Sequence, residues 1–341
     1  MIKDLASVVV VNWNGKHMLA ECLDSLLAQT WQPLEIVLVD NGSSDGSAEW
    51  ARAAYGDRVR LVELAENLGF AGGNNAGFAA ARGEFILLLN NDAIADARWA
   101  EELIKVAITD PKIGGCSSKI LIHKDMSLFE NTGLLLYPDG SARGRGRLQR
   151  DEGQFDKIDE IPAPSGCACL YRRAAIDQAG AFDAEFFCYG DDVELGLKCL
   201  VAGWKFRYVP TAVAIHKESQ TSGKYSPRKA FLVERNRIWV MIKTYPVGAI
   251  LASPWHTFLR YWWNLKALVA GEGQAGQFRQ QSGSSSLVWI VLRAYGTSLV
   301  HIGRLLKERR RIQSTRPRGE HPLKPWLGRK ALSAREFTMI A

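Results

Sequence analysis

Acidic and amide side chains occur in short clusters that could hold a metal ion and a phosphorylated ligand. The clusters are Asn12 with Asn14, Asp40–Gly42, Asn90–Asp92 and the adjacent acids Asp191 and Asp192. An aspartate beside two amide groups suits a hard divalent cation that binds phosphate oxygens in turn. Adjacent carboxyl groups can supply a general base. These residue types indicate metal-assisted chemistry on a phosphorylated substrate, although ordinary turns are also rich in Asn and Asp.

Three of the clusters directly follow short apolar runs that predict buried strands. The runs are Ser7–Val11, Leu34–Val39 and Phe85–Leu89. Runs of this length, bounded by turn residues, are typical of strands inside a parallel sheet. Open α/β sheets bind ligands beyond the carboxyl ends of such strands. We therefore expect the polar residues after these runs to meet at one edge of a sheet.

Two glycine-containing turns near these strands could admit a nucleotide. Gly42 would allow close backbone approach beside Asp40, whose carboxylate could accept a hydrogen bond from the imide NH of uracil or thymine. The segment from Asn67 through Gly73 and Asn74 opens a helix of small residues. The sequence after Asp40 also matches a common helix-capping pattern, so it does not identify a nucleotide site by itself.

Strand and helix patterns alternate along the first 110 residues. Apolar residues at helical spacing predict helices over 19–30, 48–54, 72–81 and 97–108, and a further strand is expected at 59–64. This βαβα order predicts the α/β class with a doubly wound, mainly parallel sheet.

The pattern between residues 113 and 216 is mixed. We expect a hairpin turn at Asp139-Gly140, strands over 165–171 and 206–209, and a helix over 193–202. The charged segment 143–151 could form a loop that closes over a ligand. His216 follows another strand pattern, where it is either a ligand or an ordinary surface histidine.

Asp191 and Asp192 stand at the start of the predicted helix, followed by Glu194. Carboxylates at a helix N-terminus contribute about 0.3–1 kcal/mol, so capping is one explanation for them. Three acids in four positions exceed what a cap requires. One carboxylate could cap while its neighbour faces the cleft as a general base.

The composition indicates a globular protein with reduced thiols. The chain has 341 residues, 47% of them hydrophobic, which allows one large domain and an appendage. The six cysteines are scattered without a Cys-x-x-Cys pair, so we expect packed, reduced thiols. No signal-peptide pattern precedes the first strand, which predicts a cytoplasmic location.

Beyond Pro246 the composition changes. Aromatic and apolar residues recur at helical spacing over 254–263 and 287–295, separated by a Gly/Gln/Ser-rich linker at 271–286. We therefore divide the chain into a main domain at 1–245, an amphipathic helical extension at 246–300 and a basic tail at 301–341. Arg260 and Arg293 interrupt the apolar runs, which are too short to span a bilayer.

The basic excess belongs to the tail. Residues 301–341 contain eleven Lys and Arg against three Glu, whereas the whole chain has a net charge of +7, so residues 1–300 are close to neutral. This distribution disfavours a nucleic-acid-binding surface and favours anionic lipid headgroups, which would place the protein on the inner face of the cytoplasmic membrane. The alternatives are a solvated tail and helices packed on the main domain.

The ordered set of motifs is more informative than any single one. The set is Val10–Asn14, Leu23–Thr30, Glu35–Gly46, Asn67–Gly77, Leu88–Asp92, Tyr189–Leu195, Ala202–Trp204 and Val209–His216. In this order the motifs resemble those of inverting family 2 glycosyltransferases with the GT-A fold, in particular the rhamnosyltransferase-like branch. The resemblance covers roughly residues 5–245.

The resemblance implies a role for each candidate residue. Asp40 would bind the nucleobase, and the other donor-site residues would be Asn12, Asn14, Gly42, Asn67, Gly73, Asn74 and Asn91. Asp92 would bind Mn²⁺ or Mg²⁺, with His216 as a second ligand. Asp192 would be the base, with Asp191 beside it. Two departures matter: Asn90 replaces the first Asp of the family's metal motif, which weakens the expected metal affinity, and Asp191 replaces a Glu.

The implied reaction is a single displacement that moves a sugar from a nucleoside diphosphate to a glycan or lipid-linked acceptor in cell-surface polysaccharide synthesis. Rhamnose from dTDP-rhamnose is the best candidate donor sugar, and a UDP-sugar is the alternative. A non-catalytic sugar-nucleotide-binding homologue is a second alternative, which the retention of Asp92 and Asp192 disfavours. A nucleotidyltransferase would usually carry a Gly-x-Gly-Thr-Arg loop after the first strand. Asn12–Gly15 stands there instead, which disfavours that class.

Overall fold

The computed structural model describes residues 1–217, 226–270 and 285–339. The strands in these ranges are β1 (Ile2–Asn12), β2 (Leu34–Asn41), β3 (Arg60–Leu64), β4 (Gly83–Leu89), β5 (Ala93–Ala95), β6 (Ile113–Ile122), β7 (Asp125–Asn131), β8 (Leu134–Leu136), β9 (Ala142–Gly144), β10 (Asp159–Ile161), β11 (Ala168–Arg172) and β12 (Lys205–His216). The α-helices are α1 (Lys16–Leu27), α2 (Ser47–Tyr55), α3 (Gly69–Ala80), α4 (Trp99–Ala107), α5 (Arg173–Ala179), α6 (Asp191–Val201), α7 (Pro227–Thr244), α8 (Val247–Ala270), α9 (Ser285–Val300), α10 (Ile302–Ser314), α11 (Lys324–Leu327) and α12 (Ala334–Met339). Short 3₁₀ turns occur at Gly56–Arg58 and Ala184–Phe186.

Ten of these strands form one mixed sheet, whose main path has the order β10-β12-β6-β11-β4-β1-β2-β3. Neighbours are parallel from β4 through β1 and β2 to β3, and again between β6 and β12. β11 is antiparallel to both β4 and β6, and β10 is antiparallel to β12. Six of the eight strands on the path therefore run in one direction, which confirms the predicted α/β class and the mainly parallel sheet.

Helices cover both faces of the sheet, and the side chains of β1 alternate between the two resulting cores. Val8 and Val10 of β1 pack in a core with residues of α1, α2 and α4. Val9 packs in the opposite core with residues of α3, α6 and α7. A strand buried on both faces must be apolar throughout, which explains the unbroken valine run of β1.

The small-residue helix α3 lies unusually close to β1. A Cβ atom on Gly73 would stand 2.6 Å from Cγ1 of Val11, and one on Gly77 would stand 2.2 Å from Cγ1 of Val9. The helix begins at Gly69, three residues before the predicted start, because the side chain of Asn67 accepts a hydrogen bond from the Gly69 amide at 2.8 Å.

The middle of the chain follows the predicted pattern with one difference. β8 and β9 form the hairpin expected around Asp139-Gly140. Segment 143–151 is paired rather than free-standing: it starts within β9, Arg150 forms a bridge with Leu128, and Asp151 forms an ion pair with Lys119 at 2.8 Å. All six cysteines are free thiols, and five are buried, as expected.

The C-terminal helices pack against the sheet domain. Arg260 of α8, which interrupts the apolar run in the sequence, is buried and donates to Asp139 at 2.6 Å and to Glu234 at 3.2 Å. Leu305 and Ile312 of α10 are buried in the core. Residues 271–284 of the predicted linker at 271–286 lie outside the described residues, and α9 begins at Ser285. Among the helices of the described ranges, none combines the length and the apolarity needed to cross a membrane.

Candidate active site

Asn12 joins the polar ends of three strands. Its side-chain amide donates to Asp40 Oδ1 at 3.3 Å and to Ser47 Oγ at 2.9 Å. Its Oδ1 atom accepts from the Asn91 amide at 2.8 Å. The structure therefore brings Asn12, Asp40 and Asn91 together at the carboxyl edge of β1, β2 and β4, as the strand pattern predicts.

A tight loop surrounds Asp40. Its Oδ2 atom accepts from the Ser43 amide at 3.1 Å, and Oδ1 also accepts from the Ser47 hydroxyl at 3.2 Å. Asn14, at φ 51°, accepts from the Ser44 amide at 2.8 Å. These bonds fix the Asp40 carboxylate. Each carboxylate oxygen can accept two hydrogen bonds. Oδ1 already accepts from Asn12 and Ser47, whereas Oδ2 accepts only one bond and keeps a free lone pair.

The remaining predicted donor-site residues contact the fold itself. Gly42 has φ 71°, and a Cβ there would lie 2.6 Å from the Glu66 backbone. Asn67 accepts from the Asn41 amide at 3.2 Å. Gly73 faces β1, and the Asn74 amide donates to the Phe70 carbonyl at 2.9 Å. These contacts hold β2 and α3 together beside Asp40.

Asp92 and His216 come together where β4 and β12 end. His216 Nε2 lies 3.0 Å from Asp92 Oδ1, and its Nδ1 lies 2.5 Å from Glu130 Oε2. His216 is 8% exposed, so it is not a surface histidine. Burial alone would lower the pKa of His216, but Cys167, Asp92 and Glu130 together raise it well above its ordinary value. Glu130, on β7, is absent from the sequence prediction because no local motif surrounds it.

The chemistry of this pair fits a divalent cation. A carboxylate and an imidazole are both common ligands of Mn²⁺, and their 3.0 Å separation is close to that of two ligands on one ion. Glu130 holds the far nitrogen of the ring, as the partners of metal-binding histidines do. Within the described residues, no group of three or more His, Cys, Asp and Glu side chains is arranged to bind a metal. A cation here would take its other ligands from phosphate oxygens and water.

The two acids at the start of α6 have different surroundings. Asp192 Oδ2 accepts from the Gly166 amide at 3.1 Å, and Oδ1 accepts from the Val193 amide at 2.8 Å. Asp191 is buried, and its Oδ2 has no hydrogen-bond partner in the part of the chain that is described. Burial, followed by repulsion from Asp192 and Glu194, raises the pKa of Asp191 well above its usual value. Burial also raises the pKa of Asp192, against the opposing effect of the two amides.

The segment 166–167 connects the two candidate centres. The Gly166 backbone amide donates to Asp192, and the carbonyl of the following residue, Cys167, accepts from the Asn90 backbone amide at 2.8 Å. The side-chain nitrogen of Asn90 in turn lies 3.5 Å from His216 Nε2. Two residues of β11's leading segment therefore bridge the proposed base and the proposed metal ligands. The sequence prediction missed this bridge, since it saw Gly166 only as part of a strand.

Asn236 of α7 holds the loop that precedes α6. Its side-chain amide donates to the carbonyls of Phe186 at 3.1 Å, Cys188 at 2.9 Å and Tyr189 at 2.7 Å. Phe187 and Tyr189 have φ angles of 63° and 70°, a region that costs non-glycine residues energy. Asn236 thus stabilises a strained turn that aims Asp191 and Asp192, and nothing in its sequence surroundings indicates that function.

A buried network of charges supports α6 from below. Glu194 contacts Lys198 at 2.9 Å and Lys243 at 2.5 Å, and all three side chains are at most 1% exposed. Lys243 also contacts Asp183 at 2.8 Å, which pairs with Arg304 of α10 at 2.7 Å. The Glu194–Lys198 spacing of four was visible in the sequence, whereas the partners from α7 and α10 were not.

The family comparison identifies the class of protein to which this sheet and these polar clusters belong. The family model of glycosyl transferase family 2 matches residues 7–180, about half of the chain. The chain therefore belongs to glycosyl transferase family 2.

Curated relatives include a rhamnosyltransferase. The chain is 29% identical over 274 residues to the N-acetylglucosaminyl-diphospho-decaprenol L-rhamnosyltransferase of Mycobacterium tuberculosis, covering 69% of this chain and 86% of that protein. It is 28% identical over 251 residues to the O-antigen biosynthesis protein RfbC of Myxococcus xanthus, covering 70% of this chain and 19% of that one. The rhamnosyltransferase-like relationship predicted from the motifs is confirmed.

Solved structures share the fold at low sequence identity. A crystal structure of GalNAc-T7 with UDP, GalNAc and Mn²⁺ superposes with a TM-score of 0.58 at 16% identity, covering 86% of this chain and 57% of that chain. The mannosyltransferase PcManGT from Pyrobaculum calidifontis, in complex with GDP-Man and Mn²⁺, gives 0.51 at 19% identity, covering 91% and 85%. Both are glycosyltransferases, which confirms the predicted GT-A fold.

Proposed function

We propose that this protein is an inverting, metal-dependent glycosyltransferase. It moves a sugar, with rhamnose from dTDP-rhamnose as the best candidate, from a nucleoside diphosphate to a glycan or lipid-linked acceptor. The observation that supports this most strongly is the bridge at 166–167, because two consecutive residues bond to the Asp192 carboxylate and to Asn90, which precedes Asp92 by two positions. A transferase needs these two functions, activation of the acceptor and stabilisation of the leaving group, on opposite sides of one sugar.

Donor binding is assigned to the edge formed by Asn12, Asp40 and Asn91. Asp40 has unused acceptor capacity and would bind the imide NH of uracil or thymine, which favours a dTDP- or UDP-linked donor. Asp92 and His216 would hold Mn²⁺ or Mg²⁺, and when bound this ion would neutralise charge on the diphosphate leaving group. The two structural neighbours, both solved with Mn²⁺, support this choice of cofactor.

Asp192 is assigned as the base. Its carboxylate is fixed by two backbone amides and keeps lone pairs for an acceptor hydroxyl. It would take the hydroxyl proton as the oxygen attacks the anomeric carbon from the face opposite the diphosphate, so that the configuration inverts. Asp191, more deeply buried, would remain beside it.

A peripheral position on the cytoplasmic face of a membrane is supported by the outer face of α8. Six apolar residues at spacings of three or four lie on it, each at least 48% exposed: Val247, Leu251, Trp255, Phe258, Trp262 and Leu265. Stacked aromatic rings on an amphipathic helix are typical of helices that lie in a lipid interface. Several basic residues of the tail are already bound to the protein, Arg304 to Asp183 and Arg309 to the Ile242 carbonyl. The apolar face therefore replaces the tail as the main expected contact with lipid.

The test is transfer activity against a panel of donors that includes dTDP-rhamnose, UDP-glucose, UDP-N-acetylglucosamine and GDP-mannose, with Mn²⁺ or Mg²⁺ and a lipid-linked N-acetylglucosamine acceptor. We expect transfer from the dTDP- or UDP-linked donors, with product whose anomeric configuration, read by NMR, is opposite to that of the donor. Product of retained configuration, or nucleotide-sugar binding without transfer from any donor, would contradict the proposal.

A further inference from the structure

An apolar groove lies between α7 and α9, next to the loop that aims the acidic pair. Its volume is about 840 Å³, and its lining includes Arg228, Phe231, Leu232, Trp289, Leu292 and Arg293. Trp289 and Leu292 are 73% and 56% exposed, so they present apolar surface to this groove without covering it. A groove of this kind favours a ligand with an apolar chain.

Two guanidinium groups border the groove. Arg293 stacks over the ring of Phe231 at 4.7 Å, and Arg228 stacks over the ring of Phe187 at 4.7 Å. Among the residues that the structure describes, neither arginine pairs with a carboxylate, and both are exposed. Arginine next to apolar surface is well suited to phosphate, because its planar group can donate two parallel hydrogen bonds.

The groove reaches the candidate active site through Arg228. Phe187, on which Arg228 stacks, lies in the strained turn before Asp191 and Asp192, and its carbonyl accepts from the Ala71 amide of α3 at 3.3 Å. A ligand whose phosphate sat between Arg228 and Arg293 would therefore lie next to this turn, and Trp289 and Leu292 would offer apolar surface to the rest of the ligand.

We propose that this groove binds the prenyl phosphate part of a lipid-linked acceptor, with Arg228 and Arg293 on the phosphate and with Phe231, Trp289 and Leu292 on the first isoprene units. The inference rests on the proposed function, since it names the acceptor class of the same site. Charge complementarity and the apolar continuation select an amphiphile with an anionic head over a free sugar or a soluble glycan.

The test measures binding of farnesyl diphosphate to the full chain by calorimetry, below its critical micelle concentration. EDTA is present, so that a metal at Asp92 does not contribute. Farnesol, inorganic diphosphate and dihexanoylphosphatidylglycerol are the comparison ligands. We expect farnesyl diphosphate to bind at least tenfold more tightly than any of them, because only it satisfies both parts of the groove.

Two double variants locate the binding. Arg228→Gln with Arg293→Gln, and Trp289→Ser with Leu292→Ser, should each weaken farnesyl diphosphate binding about tenfold. Their matched controls are Arg310→Gln, an exposed arginine of α10, and Leu299→Ser, an exposed leucine of α9, which should stay within about twofold of wild type. Thermal unfolding of every variant confirms that the fold is intact.

Wild-type affinity in both double variants would overturn the proposal. So would equal binding of phosphatidylglycerol with the same dependence on the two arginines, which would assign the groove to membrane lipid. A stable dimer that dissociates on Trp289→Ser would assign it to a second copy. Binding needs no donor, so failure of sugar transfer would contradict the proposed function and leave this result intact, and the reverse also holds.

Discussion

The proposed nucleotide-binding edge and the support of α6 are built in different ways. At the edge, the neutral side chains of Asn12 and Ser47 donate to Asp40, which is only 5% exposed. At α6, Glu194 is buried completely between Lys198 and Lys243, and Asp183, which also contacts Lys243, supplies the second negative charge. The first region depends on hydrogen bonds from neutral groups to one carboxylate, whereas the second can hold its position only while every charged partner is present.

Loss of the carboxylate proposed to bind the metal should have the largest effect on transfer. Asp92→Asn removes the carboxylate that follows β4 while keeping a side chain of the same size, so we expect transfer to fall by about 100-fold or more at any Mn²⁺ concentration. Asn90→Asp is the matched change in the opposite direction, and it should lower the Mn²⁺ concentration needed for half-maximal rate. Activity titrated against Mn²⁺ measures both effects. Full activity of Asp92→Asn in excess chelator would contradict a metal-dependent mechanism.

Breaking the buried network should have the largest effect on stability. Lys243→Met keeps the length of the side chain but leaves Glu194 and Asp183 without their shared cation, and loss of one partner of a buried pair costs about 3–5 kcal/mol. The control is Lys324→Met, which removes the exposed pair with Glu320 and should cost at most about 1 kcal/mol. Urea unfolding measures both, and equal midpoints would show that the buried charges do not stabilise the fold.

The next largest effect is the pH dependence of the transfer rate, which reports the protonation state of Asp192. A base works only when deprotonated, and burial raises the pKa of Asp192, so the rate should fall as the pH drops through a value above the ordinary range for aspartate. The initial rate at saturating donor gives this profile. Unfolding midpoints over the same pH range separate titration of the base from acid unfolding. A rate that stays constant down to the ordinary aspartate pKa would contradict the assignment of Asp192.

The smallest expected effect concerns the exposed face of α8. Trp255→Ser with Trp262→Ser should weaken sedimentation with anionic vesicles several-fold, because aromatic side chains dominate interfacial insertion. Raising the salt concentration should weaken it less, since the tail's Arg304 and Arg309 are already bound to the protein. Lys307→Gln on α10 is the charge control. Binding abolished by salt and unchanged in the tryptophan variant would restore the basic tail as the anchor.

The nucleotide edge could be predicted from the sequence because its contacts are governed by local rules. Strands such as Ser7–Val11 end at polar residues, and the order of elements fixes which strand ends are neighbours. The pairing of Asn12 with Asp40 therefore follows from the topology. The pairing of His216 with Asp92 was implied only by the family resemblance, and nothing in the sequence indicated that Glu130 would hold the other ring nitrogen.

The support of the acidic pair could not be predicted in this way. Asn236 and Lys243 lie 44 or more residues beyond Asp192, on a helix whose sequence shows only that they are polar positions in an apolar pattern. Which charge meets which depends on how α7 and α10 pack, and that is decided by the whole core. The basic residues at 304–311 were for the same reason assigned to solvent or lipid, while the structure places several against the protein.

We propose that Asp192 activates the acceptor and that other residues, at the edge around Asp40, bind the donor. The most direct measurement compares Asp192→Asn with Asp191→Asn, recording nucleotide-sugar affinity and turnover for each. We predict that Asp192→Asn binds donor as wild type does and loses turnover by about 10²- to 10⁴-fold, the range for a lost general base. Near wild-type turnover in Asp192→Asn, together with an inactive Asp191→Asn, would contradict this assignment and identify the other carboxylate as the base.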